Sequence, residues 1–114
     1  MINIYGIKNC NSVKKALDWM NENNITYEFH DYKKVGADKE VLEKFIEKFG
    51  WEKVLNRKGM TWRNLSKQEQ ENITDKNLAI VLMVDKTSII KRPLIDLGEE
   101  LLIGFDEDEY KKSF

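Results

Sequence analysis

The chain contains one cysteine, Cys10, within the segment IYGIKNCNSV at residues 4–13. A short apolar stretch runs into a polar turn, and a helical pattern begins directly after the cysteine. A thiolate at a helix start faces backbone N–H groups that have no partner inside the helix, and it faces the positive end of the helix dipole. Both effects lower the pKa of a thiol, and Lys8 would add a nearby cation. The sequence therefore predicts a reactive thiol at Cys10.

This thiol has no second cysteine to pair with. Val13 occupies the position at which a Cys-x-x-Cys motif would carry its second cysteine. Any mixed disulfide at Cys10 must therefore be resolved by a thiol from outside the chain. The alternative interpretation of Cys10 is a small buried apolar side chain, which free cysteines often are. The strand-end position favours the functional thiol.

A strand, a helix and a second strand are predicted around Cys10. Residues 2–7 are mainly apolar, and residues 25–30 alternate between apolar and polar side chains, which is typical of strands. Asn11 or Ser12 is the expected helix N-cap. The helix between the strands has an apolar stripe at helical spacing, formed by Val13, Ala16, Leu17 and Met20. This length suits a βαβ unit with parallel strands.

The middle of the chain has mainly helical spacing. Residues 33–36 and 56–64 are expected to be loops, and a short apolar turn is expected at 51–55. The run at 79–84 is apolar in almost every direction, which predicts a buried helix. Three helix starts are marked by capping residues, which are Asp38, Ser66 with Glu69 as a capping box, and Asp75.

The end of the chain returns to strand-like patterns. Residues 88–95 predict a strand interrupted by Arg92 and Pro93, the only proline. A turn at 97–99 and a strand at 101–103 complete a hairpin, and Asp106 with Glu109 is expected to cap a closing helix. The whole chain is interpreted as one α/β domain, residues 1–114, with a helical insertion at about 38–86.

Composition excludes several classes of function. The 114 residues carry 19 Lys and Arg against 20 Asp and Glu, so no basic excess supports nucleic-acid binding. The apolar run at 78–84 is far shorter than the ~18 residues that span a membrane, and residues 1–7 do not resemble a signal peptide. We expect a cytoplasmic location, which keeps a thiol reduced. One histidine and one cysteine form no metal-site pattern, and His30 is interpreted as a surface or partner-satisfied residue.

The element order resembles the thioredoxin fold, with a mixed four-stranded sheet flanked by helices. Five segments narrow the resemblance to the arsenate reductase (ArsC) family. More closely, they are similar to its single-cysteine, arsenate-reductase-related branch of Spx/MgsR-like proteins. The five segments are YGIKNCNSVKKA, HDYKK, NRKG, TWR and IKRP, at residues 5–16, 30–34, 56–59, 61–63 and 90–93.

The resemblance implies roles for particular residues. Cys10 would be the nucleophile, and Arg92 would lie beside it, lower its pKa and hold an anionic oxygen or thiolate. The Arg92–Pro93 peptide bond would be cis, and Pro93 would shape a groove for a thiol-bearing substrate. Arg57 would help to bind an oxyanion. The candidate catalytic residues are therefore Cys10 and Arg92, and the candidate substrate-binding residues are Lys8, Asn11, Arg57 and Pro93.

The chain also departs from the family pattern. A third anion-binding arginine is expected near the later strands, where residues 103–105 are Ile-Gly-Phe, and the cysteine is followed by Asn-Ser-Val. A charge-assisted contact contributes about 1.5–3 kcal/mol, so one missing contact lowers oxyanion affinity by roughly ten- to a hundredfold. We therefore expect arsenate to bind weakly.

Three functional hypotheses follow. The leading one is a monomeric, cytosolic thiol-dependent reductase with no tightly bound cofactor, which uses glutathione, bacillithiol or a redoxin as the external thiol. The second is an Spx-like regulator that binds the C-terminal domain of the RNA polymerase α-subunit without a cysteine switch. The third is a true arsenate reductase.

Overall fold

The computed structural model describes residues 1–114, which divide into two compact units. Met1–Val35 and Arg92–Phe114 form the sheet unit, and Gly36–Lys91 forms the helical unit. The strands are β1 Ile2–Gly6, β2 Tyr27–Asp31, β3 Leu94–Asp96 and β4 Leu101–Ile103. The helices are α1 Asn11–Glu22, α2 Tyr32–Val35, α3 Lys39–Phe49, α4 Trp51–Val54, α5 Met60–Arg63, α6 Lys67–Glu71, α7 Lys76–Asp85 and α8 Glu107–Ser113, with a 3₁₀ turn at Thr87–Ile89.

The four strands form one mixed sheet in the order β2-β1-β3-β4. Strand β1 runs parallel to β2 and antiparallel to β3, and β3 forms an antiparallel hairpin with β4. Gly6 at the end of β1 is in register with Asp31 at the end of β2, and Tyr5 is in register with Leu94 at the start of β3. The segments after β1 and β2 and before β3 therefore meet at one edge. The predicted mixed four-stranded sheet is confirmed.

Helices α1 and α8 pack on this sheet through a shared apolar cluster. Burial of large apolar side chains stabilises such a layer by about 1.5–3 kcal/mol each. Tyr110 of α8 is fully buried, and its hydroxyl donates a 2.6 Å hydrogen bond to the Gly104 carbonyl. The cluster consists of Ile4, Ala16, Trp19, Met20, Ile95, Leu102 and Tyr110.

The start of α1 lies unusually close to β1 at Gly6. A Cβ atom on Gly6 would lie 2.9 Å from Cγ2 of Val13, a contact shorter than side chains tolerate. Val13 is fully buried and β-branched, so it has little freedom to move away. Glycine at position 6 therefore permits the first turn of α1 to sit directly against the strand.

The predicted helix caps at Asp38, Ser66, Asp75 and Asp106 are confirmed. The Asp38 carboxylate accepts a 2.8 Å hydrogen bond from the Glu40 N–H, and the Asp75 carboxylate accepts one of 2.9 Å from the Leu78 N–H. Ser66 and Glu69 form the reciprocal capping box. In the sheet unit, the Asp106 carboxylate accepts from the Glu109 N–H at 3.2 Å. Each cap satisfies an N–H group that the helix itself leaves without a partner.

Two predicted loops contain helical turns. Residues 32–35 form α2, whose entry is fixed by the Asp31 carboxylate, which accepts from the Lys33 N–H at 3.0 Å. Residues 60–63 form α5, in which the Arg63 N–H donates to the Gly59 carbonyl at 3.2 Å. Four residues are too few to show a helical periodicity, so the sequence pattern did not reveal either turn.

The prediction of a buried helix over residues 79–84 is wrong in part. Helix α7 buries Ala79, Ile80 and Met83, but Val81 is 69% exposed and Val84 is also exposed. Because the run is apolar in every direction, its pattern carries no information about which side faces water. No helix of the chain combines the length and apolar composition needed to cross a bilayer.

The predicted strand over residues 88–95 is also wrong in its first half. Thr87–Ile89 is a 3₁₀ turn, and Ile90 makes only an isolated bridge with Leu55. The Lys91 N–H donates to the Val54 carbonyl at 2.8 Å, which ties this segment to the helical unit. Strand β3 begins only after Pro93, which has no N–H to donate to a ladder.

We predict that Gly6→Ala destabilises the protein by about 1–3 kcal/mol, the usual cost of overpacking a core. Urea unfolding measures the free energy directly. Val13→Ala is the partner variant, because it removes the methyl group that the new Cβ would strike. The double variant should lose less free energy of unfolding than the two single variants lose together. Strictly additive losses would contradict the proposed contact.

Candidate functional site

Cys10 lies at the start of α1, four residues after the last residue of β1. It is the N-cap of the helix, with extended backbone angles of φ −137° and ψ 128°. Its carbonyl accepts the first helical hydrogen bond, 2.9 Å from the Lys14 N–H. The expected caps, Asn11 and Ser12, are therefore wrong, since both lie inside the helix. A cysteine is not a common capping residue, so the sequence favoured its polar neighbours.

The surroundings of the half-buried Cys10 thiol stabilise its anion. Burial raises the pKa of the thiol, but three groups outweigh this effect: the Val13 N–H, the Arg92 guanidinium and the Ser12 N–H. The net result is a pKa below the ordinary value. The sulfur makes no regular capping hydrogen bond, yet these N–H groups are close enough to favour the thiolate. The helix start and a cation act together, as expected for a reactive cysteine.

Arg92 is brought to Cys10 by the antiparallel pairing of β1 and β3. It lies two residues before Leu94, which is in register with Tyr5 near the end of β1. The Arg92–Pro93 peptide bond is cis. Pro93 is buried, and its carbonyl accepts a 2.8 Å hydrogen bond from the Gly104 N–H. Two residues distant in sequence, Cys10 and Arg92, therefore meet at one edge of the sheet.

A buried tyrosine at this edge was missed by sequence analysis. Tyr32 directly follows β2 and is only 4% exposed. Burial raises the pKa of its phenol well above the ordinary range, the neighbouring Tyr5 raises it further, and Arg92 opposes both. The sequence did contain one signal for this residue, which was its position directly after β2. Because β1 and β2 are parallel, such a residue lies beside the carboxyl end of β1.

The remaining candidate residues of the sheet unit lie near its surface. Lys8 is exposed and lines a shallow cleft that also includes Lys34 and His30. Asn11 is exposed on the first turn of α1. His30 places Nε2 2.9 Å from the Asn3 side-chain oxygen and stacks on Tyr5 with ring centroids 4.7 Å apart. The interpretation of His30 as a partner-satisfied residue is confirmed.

Comparison with known families agrees with this geometry. The model of the ArsC family matches residues 5–113, almost the whole chain. The chain belongs to the ArsC family. The resemblance deduced from the five sequence segments is thereby confirmed, as is the ArsC-like α/β fold with its mixed sheet.

Relatives of this ArsC-family chain have several names. An uncharacterized protein of Haemophilus influenzae is 42% identical over 114 residues, which are 100% of this chain and 99% of the relative. The solved structure of the protein YFFB is also 42% identical, with a TM-score of 0.94 over 99% of this chain and 98% of that one. The global transcriptional regulator Spx of Streptococcus mutans is 23% identical over 113 residues, covering 97% of this chain and 81% of the regulator.

The arginines of this ArsC-family chain are divided between the two units. Arg92 belongs to the sheet unit, whereas Arg57 and Arg63 belong to the helical unit, where Arg57 is exposed in the loop between α4 and α5. The role of Arg57 stays a prediction. Residues 103–105, where the family pattern has an arginine, include Gly104 with φ +81°, a conformation that disfavours any larger side chain.

We predict that Arg92→Met raises the pKa of the Cys10 thiol, because the variant removes both a hydrogen bond and a positive charge from the thiolate. At mildly acidic pH the variant then has a smaller thiolate fraction than the wild type and reacts more slowly with iodoacetamide. At pH values above both midpoints the two proteins react at similar rates. The pH dependence of alkylation gives the midpoint. Lys14→Met removes the same charge from the exposed side of α1 and is the control. Equal shifts in the two variants would contradict a direct role for Arg92.

Proposed function

We propose that the protein is a thiol-dependent reductase in which Cys10 is the nucleophile and an external thiol completes the reaction. One observation carries the proposal: the half-buried Cys10 sulfur has a lowered pKa because the Val13 N–H and the Arg92 guanidinium stabilise its anion. The thiolate is the nucleophilic form of cysteine. A structural cysteine has no need of such groups, and a buried one without them would have a raised pKa.

The first step is thiol–disulfide exchange at Cys10. The thiolate attacks one sulfur of an oxidised substrate, the substrate S–S bond breaks, and the other half leaves as a thiolate. A mixed disulfide then links Cys10 to the substrate. An external thiolate attacks the substrate sulfur of this adduct, forms a new disulfide with it and releases the Cys10 thiolate. The new disulfide still holds one half of the substrate, and a second external thiolate releases that half as a thiolate. The net reaction therefore reduces the substrate disulfide to two thiols and joins two external thiols in a disulfide.

The local groups have assigned parts in this scheme. Arg92 stabilises the attacking thiolate and, with Lys8, attracts the carboxylates of a small thiol. We assign Pro93 and Asn11 to the groove that receives the incoming thiol. No resolving cysteine exists in the chain, so the second thiol is external. Glutathione, bacillithiol or a redoxin fits this requirement, and the first two carry carboxylates. We propose the cytoplasm as the location, because these thiols are abundant there.

We predict that incubation with glutathione disulfide or bacillithiol disulfide adds one thiol moiety to the protein and that the matching free thiol removes it. Intact-mass spectrometry measures the adduct. Cys10→Ser should show no addition, and Arg92→Met should react more slowly at mildly acidic pH. Arsenate offered in a parallel incubation should give no stable adduct, because Arg92 is the single arginine of the sheet unit. An unmodified wild-type protein in both disulfides would contradict the proposal.

A second candidate function is regulation of transcription through RNA polymerase. The observation that favours it is the similarity of nearly the whole chain to the global transcriptional regulator Spx of Streptococcus mutans. Position 13 of this chain is a fully buried valine, so a Cys-x-x-Cys switch cannot control such binding.

We predict for this second function that immobilised protein retains the α-subunit of RNA polymerase equally well with and without Cys10→Ser. A pull-down with purified α-subunit, with its C-terminal domain present or deleted, measures the interaction. Absence of retention by the wild-type protein would remove the regulator hypothesis. Retention that is lost in Cys10→Ser would link the two functions through the thiol.

A further inference from the structure

The hydroxyl group of Tyr32 is a buried polar group with no hydrogen-bond partner. The side chain is 4% exposed, and its oxygen neither donates to nor accepts from any group of the protein. A buried polar atom without a partner is costly, and native structures contain few of them. The second buried tyrosine, Tyr110, donates its hydroxyl hydrogen to the Gly104 carbonyl at 2.6 Å. Tyr32 is therefore the exception that requires an explanation.

The position of Tyr32 connects it to the reactive thiol. It follows Asp31, which is in register with Gly6 at the end of β1, and so it lies at the sheet edge that carries Cys10 and Arg92. The Arg92 cation acts electrostatically on the Tyr32 phenol, and the same guanidinium bonds to the Cys10 sulfur. The cation that stabilises the Cys10 thiolate therefore also acts on a buried phenol oxygen that has no hydrogen-bond partner.

We infer that Tyr32 is a positioning residue whose phenol oxygen accepts a hydrogen bond from Arg92 once Cys10 has entered a mixed disulfide. The inference rests on the proposed function, since it requires such an adduct. When the Cys10 thiolate displaces a leaving thiolate from a disulfide, its own negative charge is lost. A neutral disulfide sulfur is a weak acceptor, and the guanidinium has five N–H donors to place.

This second acceptor changes the balance between thiolate and adduct. A hydrogen bond from Arg92 to Tyr32 that forms only in the adduct stabilises the adduct and leaves the thiolate state unaffected. Tyr32 then acts through Arg92 rather than on the substrate. Its effect is therefore independent of the chemical nature of the attached thiol.

The test is the equilibrium constant for the mixed disulfide, measured by intact mass in defined mixtures of oxidised and reduced thiol. Tyr32→Phe should lower this constant by roughly ten- to a hundredfold, the effect of one charge-assisted hydrogen bond. The decrease should be the same with glutathione disulfide and with uncharged 2-hydroxyethyl disulfide. In the Arg92→Met background, Tyr32→Phe should have no further effect.

Tyr110→Phe is the matched control, because it removes the hydroxyl group of another buried tyrosine from the same unit. It should lower the melting temperature, since it breaks the bond to Gly104, and leave the equilibrium constant unchanged. Tyr32→Phe should keep or raise the melting temperature and leave the pH midpoint of Cys10 alkylation unchanged.

Three outcomes would overturn the inference. Equal constants for wild type and Tyr32→Phe would do so while leaving the proposed function intact. A shift in the Cys10 alkylation midpoint large enough to account for the lower constant would show that Tyr32 acts on the thiolate instead. A wild-type protein that forms no mixed disulfide with either compound would overturn both the inference and the proposed function.

Discussion

Strand β1 is hydrogen-bonded on both sides, to a parallel neighbour and to an antiparallel one, and the site depends on this double pairing. The parallel partner places the segment after β2 beside the segment after β1. The antiparallel partner places the segment before β3 at the same edge. Fully buried Ile4 is in register with Phe29 on one side and Ile95 on the other. A slip of one residue would turn these side chains to the opposite face of the sheet, so burial of Ile4 also fixes the edge where Cys10, Tyr32 and Arg92 meet.

The half-buried environment of Cys10 balances two opposing effects. Removal from water favours the neutral thiol, whereas the α1 amides and Arg92 favour the anion. A more deeply buried sulfur would lose reactivity and access to a partner thiol. A fully exposed one would gain less from Arg92, because water screens the charge. The N-cap position serves both needs, since it leaves the side chain at the surface of the fold while the helix amides lie beneath it.

The sequence predicted the parts of the fold that depend on local chemistry. Asp38, Ser66, Asp75 and Asp106 marked four helix starts because their side chains satisfy nearby N–H groups. The predictions failed where contacts between distant parts of the chain determine the secondary structure. The apolar residues before Pro93 looked like a strand, but hydrogen bonds to the segment around Val54 and Leu55 hold them in the helical unit.

The candidate site was predictable to a similar extent. Family resemblance and the helix-start position identified Cys10 and Arg92, because both are carried by short motifs. The position of Tyr32 after β2 was a signal for its place at this edge, but the lack of a partner for its hydroxyl is a tertiary property that no sequence pattern contains. Lys8 and Asn11 are exposed, and the roles proposed for them involve contact with a bound substrate.

Val13 joins packing and chemistry in a single residue. Its side chain fills the space above Gly6, and its amide stabilises the sulfur three residues earlier. A substitution that loosens the packing of α1 against β1 therefore also moves the Val13 N–H, which lowers the pKa of the thiol. A substitution at Gly6 or Val13 is therefore expected to change the free energy of unfolding and the reactivity of Cys10 together.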